Sequence, residues 1–380
     1  MSKLSSPIRS VRRKVRRTLK FSTWLISGTE SHSGENFTIL YAGRRINKHY
    51  IANLVFDDQY DEIDFGIKWL HHVFRIAKQN IQDCSMIVIE VNERLHNLIK
   101  RKKDFYIPLW VRGEIDIPLT VSSKDVKNDL RKIRKNNLEF EVTTEKSQLD
   151  KFYHEMYLPY MTHRHGNRNW ALKYHRLMQY WESGTCELFL IKKDNEHIGG
   201  EVIVFEENGP RLLVVGIKDG NPRYLKYGVG SAGYYLASNY LAKRGHNRLH
   251  LGGSRPFLKD GLLQFKKKLG LRLTSRSKEG FLFKPLSPST GLKEFFLGNP
   301  FIYTHQRELY AAIFVEEDEV CSCDESLEGL CKSFYLDGIS KVNIYPLKVN
   351  GSEPKRSVPS AFSDKIEILS AEHILAPNLR

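Results

Sequence analysis

The stretch GVGSAGYYLASNYLAKRG, residues 228–245, decides how the rest of the chain is read. Val229, Ala232, Leu236, Ala237, Tyr240 and Leu241 recur at helical spacing, and Gly245 is a suitable stop. A helix that opens on Gly228-x-Gly230 presents free backbone N–H groups from Gly228, Val229, Gly230, Ser231 and Ala232. Glycine there lets an anion such as a pyrophosphate come close. Tight packing of helix on sheet would use the same glycines equally well. Two other phosphate motifs do not fit: the P-loop pattern lacks its Gly-Lys-Ser/Thr end, and the dinucleotide pattern lacks its third glycine.

Upstream, Glu187–Lys192 reads as a strand. Ile198–Phe205 and Arg211–Lys218, joined at Asn208-Gly209-Pro210, read as a β-hairpin, followed by a polar loop over Asp219–Tyr227. Downstream, Leu249–Leu251 is a short strand ending in Gly252-Gly253. Asp260 can cap the helix GLLQFKKKL, and strands are expected near Leu271–Thr274 and Phe281–Phe283. Further out, SSKDVKNDLRKIRKNN (122–137) predicts a basic helix, Leu138–Val142 a strand, and Leu149–Tyr157 and Trp170–Trp181 amphipathic helices. In the first third, Ile51–Phe56, Met86–Val91 and Ile107–Val111 read as strands and Ile67–Ala77 as a helix.

The whole chain has 380 residues, with 59 basic and 44 acidic side chains and a net charge of +15. Of this, +8 falls in residues 1–20, which hold no acid. Ile8, Val11, Val15 and Leu19 would give a helix there a thin apolar stripe, with Phe21 and Trp24 following. A solvated arm is an equal reading. Five cysteines, odd in number, make no disulfide framework, so a reducing, cytoplasmic setting is expected. No apolar run approaches the ~18–20 residues of a spanning helix. Basic runs at 100–103, 124–135 and 266–278 could track phosphates, but no sequence-specific DNA-reading motif accompanies them.

DLRKIRKNNLEFEV at 129–142, THRHG at 162–166, HLGG at 250–253 and DGLLQFKKKLG at 260–270, in this order around the glycine helix, resemble the GNAT acyltransferase superfamily. The closer likeness is to its Fem-type aminoacyltransferase and related acetyltransferase branch, over about residues 125–285. The resemblance implies an α/β (α+β) fold: a GNAT-like mixed sheet flanked by helices, with a degenerate first GNAT-like lobe. The expected division is a basic arm at 1–34, a first lobe at 35–125, the acyltransferase domain at 126–290, an α/β extension at 291–350 and a tail at 351–380.

Acyl transfer to an amine needs a neutral amine, a polarised carbonyl and a path for protons. Lys266, at the Phe-Lys position of the family pattern, is expected to stabilise negative charge. Glu201 could relay the amine proton, although its plainer reading is an exposed carboxylate on an edge strand. Tyr227, grouped with Tyr234 and Tyr235, could protonate the leaving group. Arg164 and His165 of the THRHG segment, and Arg255 beyond the Gly-Gly turn, are expected at the acceptor. No metal is expected: His163 and His165 do not share a helix face, and Cys321, Cys323 and Cys331 have no fourth ligand at a recognisable spacing. The donor is expected to be acyl-coenzyme A, with aminoacyl-tRNA as the alternative. The acceptor is an amine on a small molecule, sugar or envelope precursor. A non-catalytic module recruited by its arm is the third reading, the arm meeting tRNA or an anionic membrane at its inner face.

Overall fold

The computed structural model describes residues 19–56, 59–80, 84–101, 104–120, 124–165, 171–316, 324–347 and 365–371. Residues 1–18 of the expected arm, Gly166, Cys321, Cys323 and most of the tail lie outside them, as does the side chain of His165.

The chain opens with strands β1 (Lys20–Thr29) and β2 (Asn36–Gly43), helix α1 (Arg45–Phe56), β3 (Tyr60–Trp69), α2 (Leu70–Gln79), β4 (Met86–Asn92), α3 (Glu93–Ile99), β5 (Phe105–Pro108) and β6 (Val111–Asp116). Helix α4 (Lys124–Lys135) and β7 (Glu139–Thr143) follow. Then α5 (Lys146–Lys151) runs through a π-helical turn at Phe152–Tyr157 into α6 (Leu158–His165), before α7 (Tyr174–Glu182). Strands β8 (Cys186–Lys193), β9 (Glu196–Glu206) and β10 (Gly209–Ile217) lead to the short α8 (Arg223–Lys226) and to α9 (Val229–Lys243). Next come β11 (Arg248–Ser254), α10 (Gly261–Lys268), β12 (Arg272–Arg276), β13 (Glu279–Pro285) and α11 (Thr290–Gly298). The last elements are β14 (Phe301–His305), β15 (Glu308–Glu316), α12 (Asp324–Phe334), β16 (Lys341–Leu347) and β17 (Ile366–Ile368).

Two compact units result, one of residues 1–111, 255–263 and 276–380, the other of 112–254 and 264–275. The first holds a six-stranded sheet, β3-β1-β2-β4-β13-β5, and a four-stranded sheet, β14-β15-β16-β17. Phe37, Phe56, Phe283, Phe295, Phe296 and Phe301 fill its core. Each aromatic of this kind gives about 1.5–3 kcal/mol on burial. The second unit is built on a seven-stranded sheet, β12-β6-β11-β10-β9-β8-β7. The expected mixed α/β class, with mixed sheets flanked by helices, is the one observed.

Several local expectations are corrected. Ile51–Phe56 is the end of α1 and not a strand: Asn47, Lys48, Ile51, Ala52, Val55 and Phe56 are buried at helical intervals. Ile67 belongs to exposed β3, and the helix begins at Leu70. Phe21 and Trp24 extend no helical stripe; they sit in β1, paired with β2, so folded structure is already present from Lys20, ahead of the boundary expected near residue 35. The unit boundaries also differ from those expected. Strand β13 pairs with β4 and β5 of the first sheet, because Phe281 and Phe283 belong to that core, whereas β6 joins the second sheet. The chain from 291 onward adds its strands to the first unit.

In the second sheet β7, β8, β9 and β10 are antiparallel neighbours, and β10 and β11 run parallel, paired at Arg211 with His250. Side chains alternate across the central strands. Val202 and Val204 of β9 enter a cluster with Phe152, Tyr157, Leu188 and Leu190 on one face. Glu201, of opposite parity, faces α9. Gly199 and Gly200 let both layers approach: a Cβ on Gly199 would meet Val229 Cγ1 at 2.5 Å, and one on Gly200 would meet the Phe152 ring at 3.2 Å.

Candidate active site

The site lies within the second unit, where β9 passes beneath the first turns of α9. Gly228 caps that helix at φ +97°, a left-handed conformation that glycine adopts without strain. A Cβ there would also stand 3.2 Å from Lys132 Cβ of α4. The Gly228 N–H donates to Leu225 O (3.0 Å), and those of Ser231 and Ala232 donate to Gly228 O (3.1 and 2.9 Å). Among the described residues the N–H groups of Val229 and Gly230 have no partner. The expected cradle of five therefore narrows to two donors, at the positive end of a 15-residue helix.

Helix α4 is fixed against this end. Ser231 Oγ donates to Asp129 Oδ2 at 2.9 Å, Lys268 pairs with the same carboxylate, and Asn136 Nδ2 donates to Tyr227 O at 3.1 Å. Val126, Asp129 and Ile133 point inward, which leaves Arg131, Lys132, Arg134 and Lys135 exposed. Positive charge thus flanks the helix start.

Glu201 is 2 % exposed, at the centre of the sheet between β8 and β10. The edge-strand reading is overturned, since strand order decides burial. Its Oε2 lies against the second turn of α9: a Cβ on Gly233 would come within 2.6 Å of it. Oε1 has no hydrogen-bond partner among the described residues. Desolvation raises its pKa to about 8, so at neutral pH the resting carboxyl is mostly protonated.

Tyr234 is buried beside Glu201 and edge-on to Phe265, ring centroids 5.2 Å apart. Burial first, and then the charge of Glu201, hold its phenol well above the usual pKa, while Arg164 acts in the opposite direction. Arg164 donates to the Tyr160 hydroxyl at 3.2 Å on α6. Tyr234 thus stands within reach of the charge of Glu201 as well as of Tyr160 and Arg164. The sequence reading missed Tyr160, although its four-residue spacing from Arg164 placed both on one helix face, and it did not use Gly233.

The other expected residues are distributed differently. Lys266 is buried, and its ammonium donates to Gly253 O at 3.1 Å, so it braces the Gly-Gly end of β11. The Tyr227 ring faces Lys193 (Nζ 5.7 Å from the centroid) and Tyr224. Tyr235 turns toward α4; its hydroxyl has no partner among the described residues, and burial pushes its pKa up to about 12. Arg255, in the loop after β11, belongs to the first unit and is buried, not exposed. It lies buried between the Tyr50 and Trp110 rings, 4.0 and 4.1 Å from their centroids, and donates to Asn47 Oδ1 and Leu109 O. Cys331 is buried. Among the described residues no group of three or more His, Cys, Asp or Glu side chains could hold a metal ion, and no helix is long and apolar enough to cross a membrane.

Residues 122–267 match the family model described as "Acetyltransferase (GNAT) domain". That segment is thus similar to GNAT-type acetyltransferase domains. It covers the helix start, Glu201, Tyr234 and Lys266. No curated protein matches the chain. Solved structures show faint likenesses. L-PGS from Bacillus licheniformis is 10% identical, with 73% of this chain and 85% of that one covered and a TM-score of 0.34. An aminoglycoside acetyltransferase from an uncultured soil metagenomic sample is 13% identical, with 36% and 89% covered and a TM-score of 0.28. A GCN5-related N-acetyltransferase from Anabaena variabilis is 11% identical, with 70% and 59% covered and a TM-score of 0.28.

Proposed function

We propose that the GNAT domain is an N-acyltransferase that takes an acyl group from acyl-coenzyme A and gives it to an amine. The acceptor amine would be carried by a small molecule, a sugar or an envelope precursor. The observation that carries this reading is Glu201: a buried carboxyl with no ion-pair partner among the described residues, one oxygen without a hydrogen bond, beside a helix start that offers the Val229 and Gly230 N–H groups. A buried acid kept unpaired in a domain of this family is suited to proton transfer.

In this reading Val229 and Gly230 bind the donor's pyrophosphate, helped by Lys132 and the exposed cations of α4. Glu201 receives a proton from the attacking ammonium or amine, directly or through one water. The amine nitrogen forms the new C–N bond, the C–S bond of the thioester breaks, and the leaving thiolate takes a proton. Tyr234 is better placed than Tyr227 to supply that proton. Arg164 lies on the acceptor side with Tyr160. Lys266 acts as a positioning residue through Gly253.

The test is transfer of labelled acetyl from acetyl-coenzyme A to a panel of amines by the purified full chain. Expected is transfer that is lost in Glu201→Gln and impaired by a bulky residue at Gly230. Undiminished transfer in both variants would overturn the site. The exposed basic face of α4 favours one second reading, an aminoacyl-tRNA donor, which predicts activity abolished by ribonuclease. A basic arm that only recruits the protein predicts no binding of coenzyme A by calorimetry.

A further inference from the structure

The first unit contains a cleft of about 1010 Å³ between strands of its two sheets, formed by α3, β5, β14, β16 and β17. Its floor is aromatic, with Phe105, Tyr106, Tyr303, Tyr310 and Tyr345. Two side chains that line it are buried yet keep an oxygen without a hydrogen-bond partner among the described residues: Asp104 Oδ1 and Asn343 Oδ1. Asp104 is 0 % exposed at its side chain and Asn343 is 4 % exposed. Thr304 Oγ1 is a third such atom in the same cleft. Buried polar atoms are nearly always satisfied, and a cluster of exceptions around one cavity marks where a ligand's groups belong.

The chemistry of these atoms narrows the ligand. Asn343 turns its amide N–H groups to the hydroxyls of Tyr303 (2.6 Å) and Tyr345, so only its carbonyl oxygen remains, and that is an acceptor. Asp104 is already neutralised through Oδ2 by Lys284 and the Arg101 N–H, so its free oxygen suits a neutral donor better than a second cation. Thr304 can both give and take a hydrogen bond. Hydroxyl groups on a carbon skeleton that lies on aromatic rings meet all three.

Charge at the rim adds an anion. The acids lining the cleft have cation partners: Glu93 with Arg276, Asp104 with Lys284 and Glu367 with Lys341. Exposed Lys100, Arg101 and Arg307 also line it, and among the described residues they have no ion-pair partner. His96 adds no charge at neutral pH, because burial and Lys100 lower its pKa to about 4. Arginine forks bind phosphate in two-point fashion.

We propose that this cleft is a second ligand site, separate from the acyl-transfer site, and that it binds a phosphorylated polyol such as a sugar phosphate. The hydroxyls meet Asp104, Thr304 and Asn343, and the phosphate meets Lys100, Arg101 and Arg307. The test is calorimetry on the full chain with glucose 6-phosphate, ribose 5-phosphate and glycerol 3-phosphate, with glucose and inorganic phosphate as controls. Expected is binding of at least one polyol phosphate tighter than about 1 mM, with either control weaker by about tenfold or more. The double variant Lys100→Glu, Arg307→Glu, both surface positions, should weaken it by about tenfold or more and leave acyl transfer unchanged. Asn343→Leu should weaken the polyol phosphate while leaving inorganic phosphate unaffected. No binding by any of the three, equal binding of inorganic phosphate, or unchanged binding in the surface variant would each overturn the proposal.

Discussion

The two units treat buried ionisable groups in opposite ways. In the first, Lys48 is fully buried, but its ammonium pairs with Glu62 and lies 5.1 Å from the centroid of the Trp24 ring; Arg255 is held between two rings with carbonyl acceptors. In the second, Glu201 is buried to a similar degree with no ion-pair partner among the described residues and an oxygen without a hydrogen bond. Burying a charge costs several kcal/mol unless partners compensate. The first arrangement builds structure; the second leaves a proton-binding group in a strained state that chemistry can use.

The strongest way to break this contrast is Glu201→Gln. If the carboxyl is the base, the rate of acyl transfer falls by about 10²–10⁴-fold in steady-state assays while the fold survives. In the unmodified protein the rate should rise with pH as the group with pKa about 8 ionises, and that limb should vanish in the variant. A variant as active as the parent would place Glu201 with Lys48, as structure alone.

Stability gives the next measure. The folded-state pKa of Glu201 is raised from 4.5 to about 8, so between these values the native state holds a proton that the unfolded state has lost. Its contribution is fully present below the unfolded pKa and is lost as pH rises through the folded one. Urea denaturation should therefore show stability falling across that window by up to about 1.4 kcal/mol per pH unit from this group. Glu201→Gln should flatten the slope. An equal slope in both proteins would contradict the assignment.

Lys48→Met probes the other side. It leaves Glu62 without its cation, but Glu62 is 34 % exposed at its side chain and water screens it. A loss of about 1–3 kcal/mol by denaturation is expected, with acyl transfer per folded molecule unchanged. The smallest effect belongs to Tyr227→Phe, which should stay within about threefold of the parent rate, whereas Tyr234→Phe should slow it by about tenfold or more. The reverse order would return the leaving-group role to Tyr227.

Much of the second unit was legible in one dimension. The hairpin of β9 and β10, the start of α9 at Gly228 and the basic helix α4 follow from local rules of periodicity, turns and caps. The first unit was less so. Ile51–Phe56 is short and apolar, and over six residues helical and strand periods are hard to separate. Arg255 looked like an exposed loop residue because the rings that enclose it, Tyr50 and Trp110, lie far away in the chain.

The sequence by itself determined which segments form helices around the glycines, where the glycine turn at the start of α9 lies, and which residue types could move a proton. Only the tertiary structure decided which of those residues are in play. Whether Glu201 meets water or a helix depends on β9 lying between β8 and β10. Of the five expected donors, two remain free because Gly228 O and Leu225 O accept from the other three. Spacing along a chain sets local conformation, whereas desolvation and partner choice depend on strands and helices distant in sequence, and those set the chemistry.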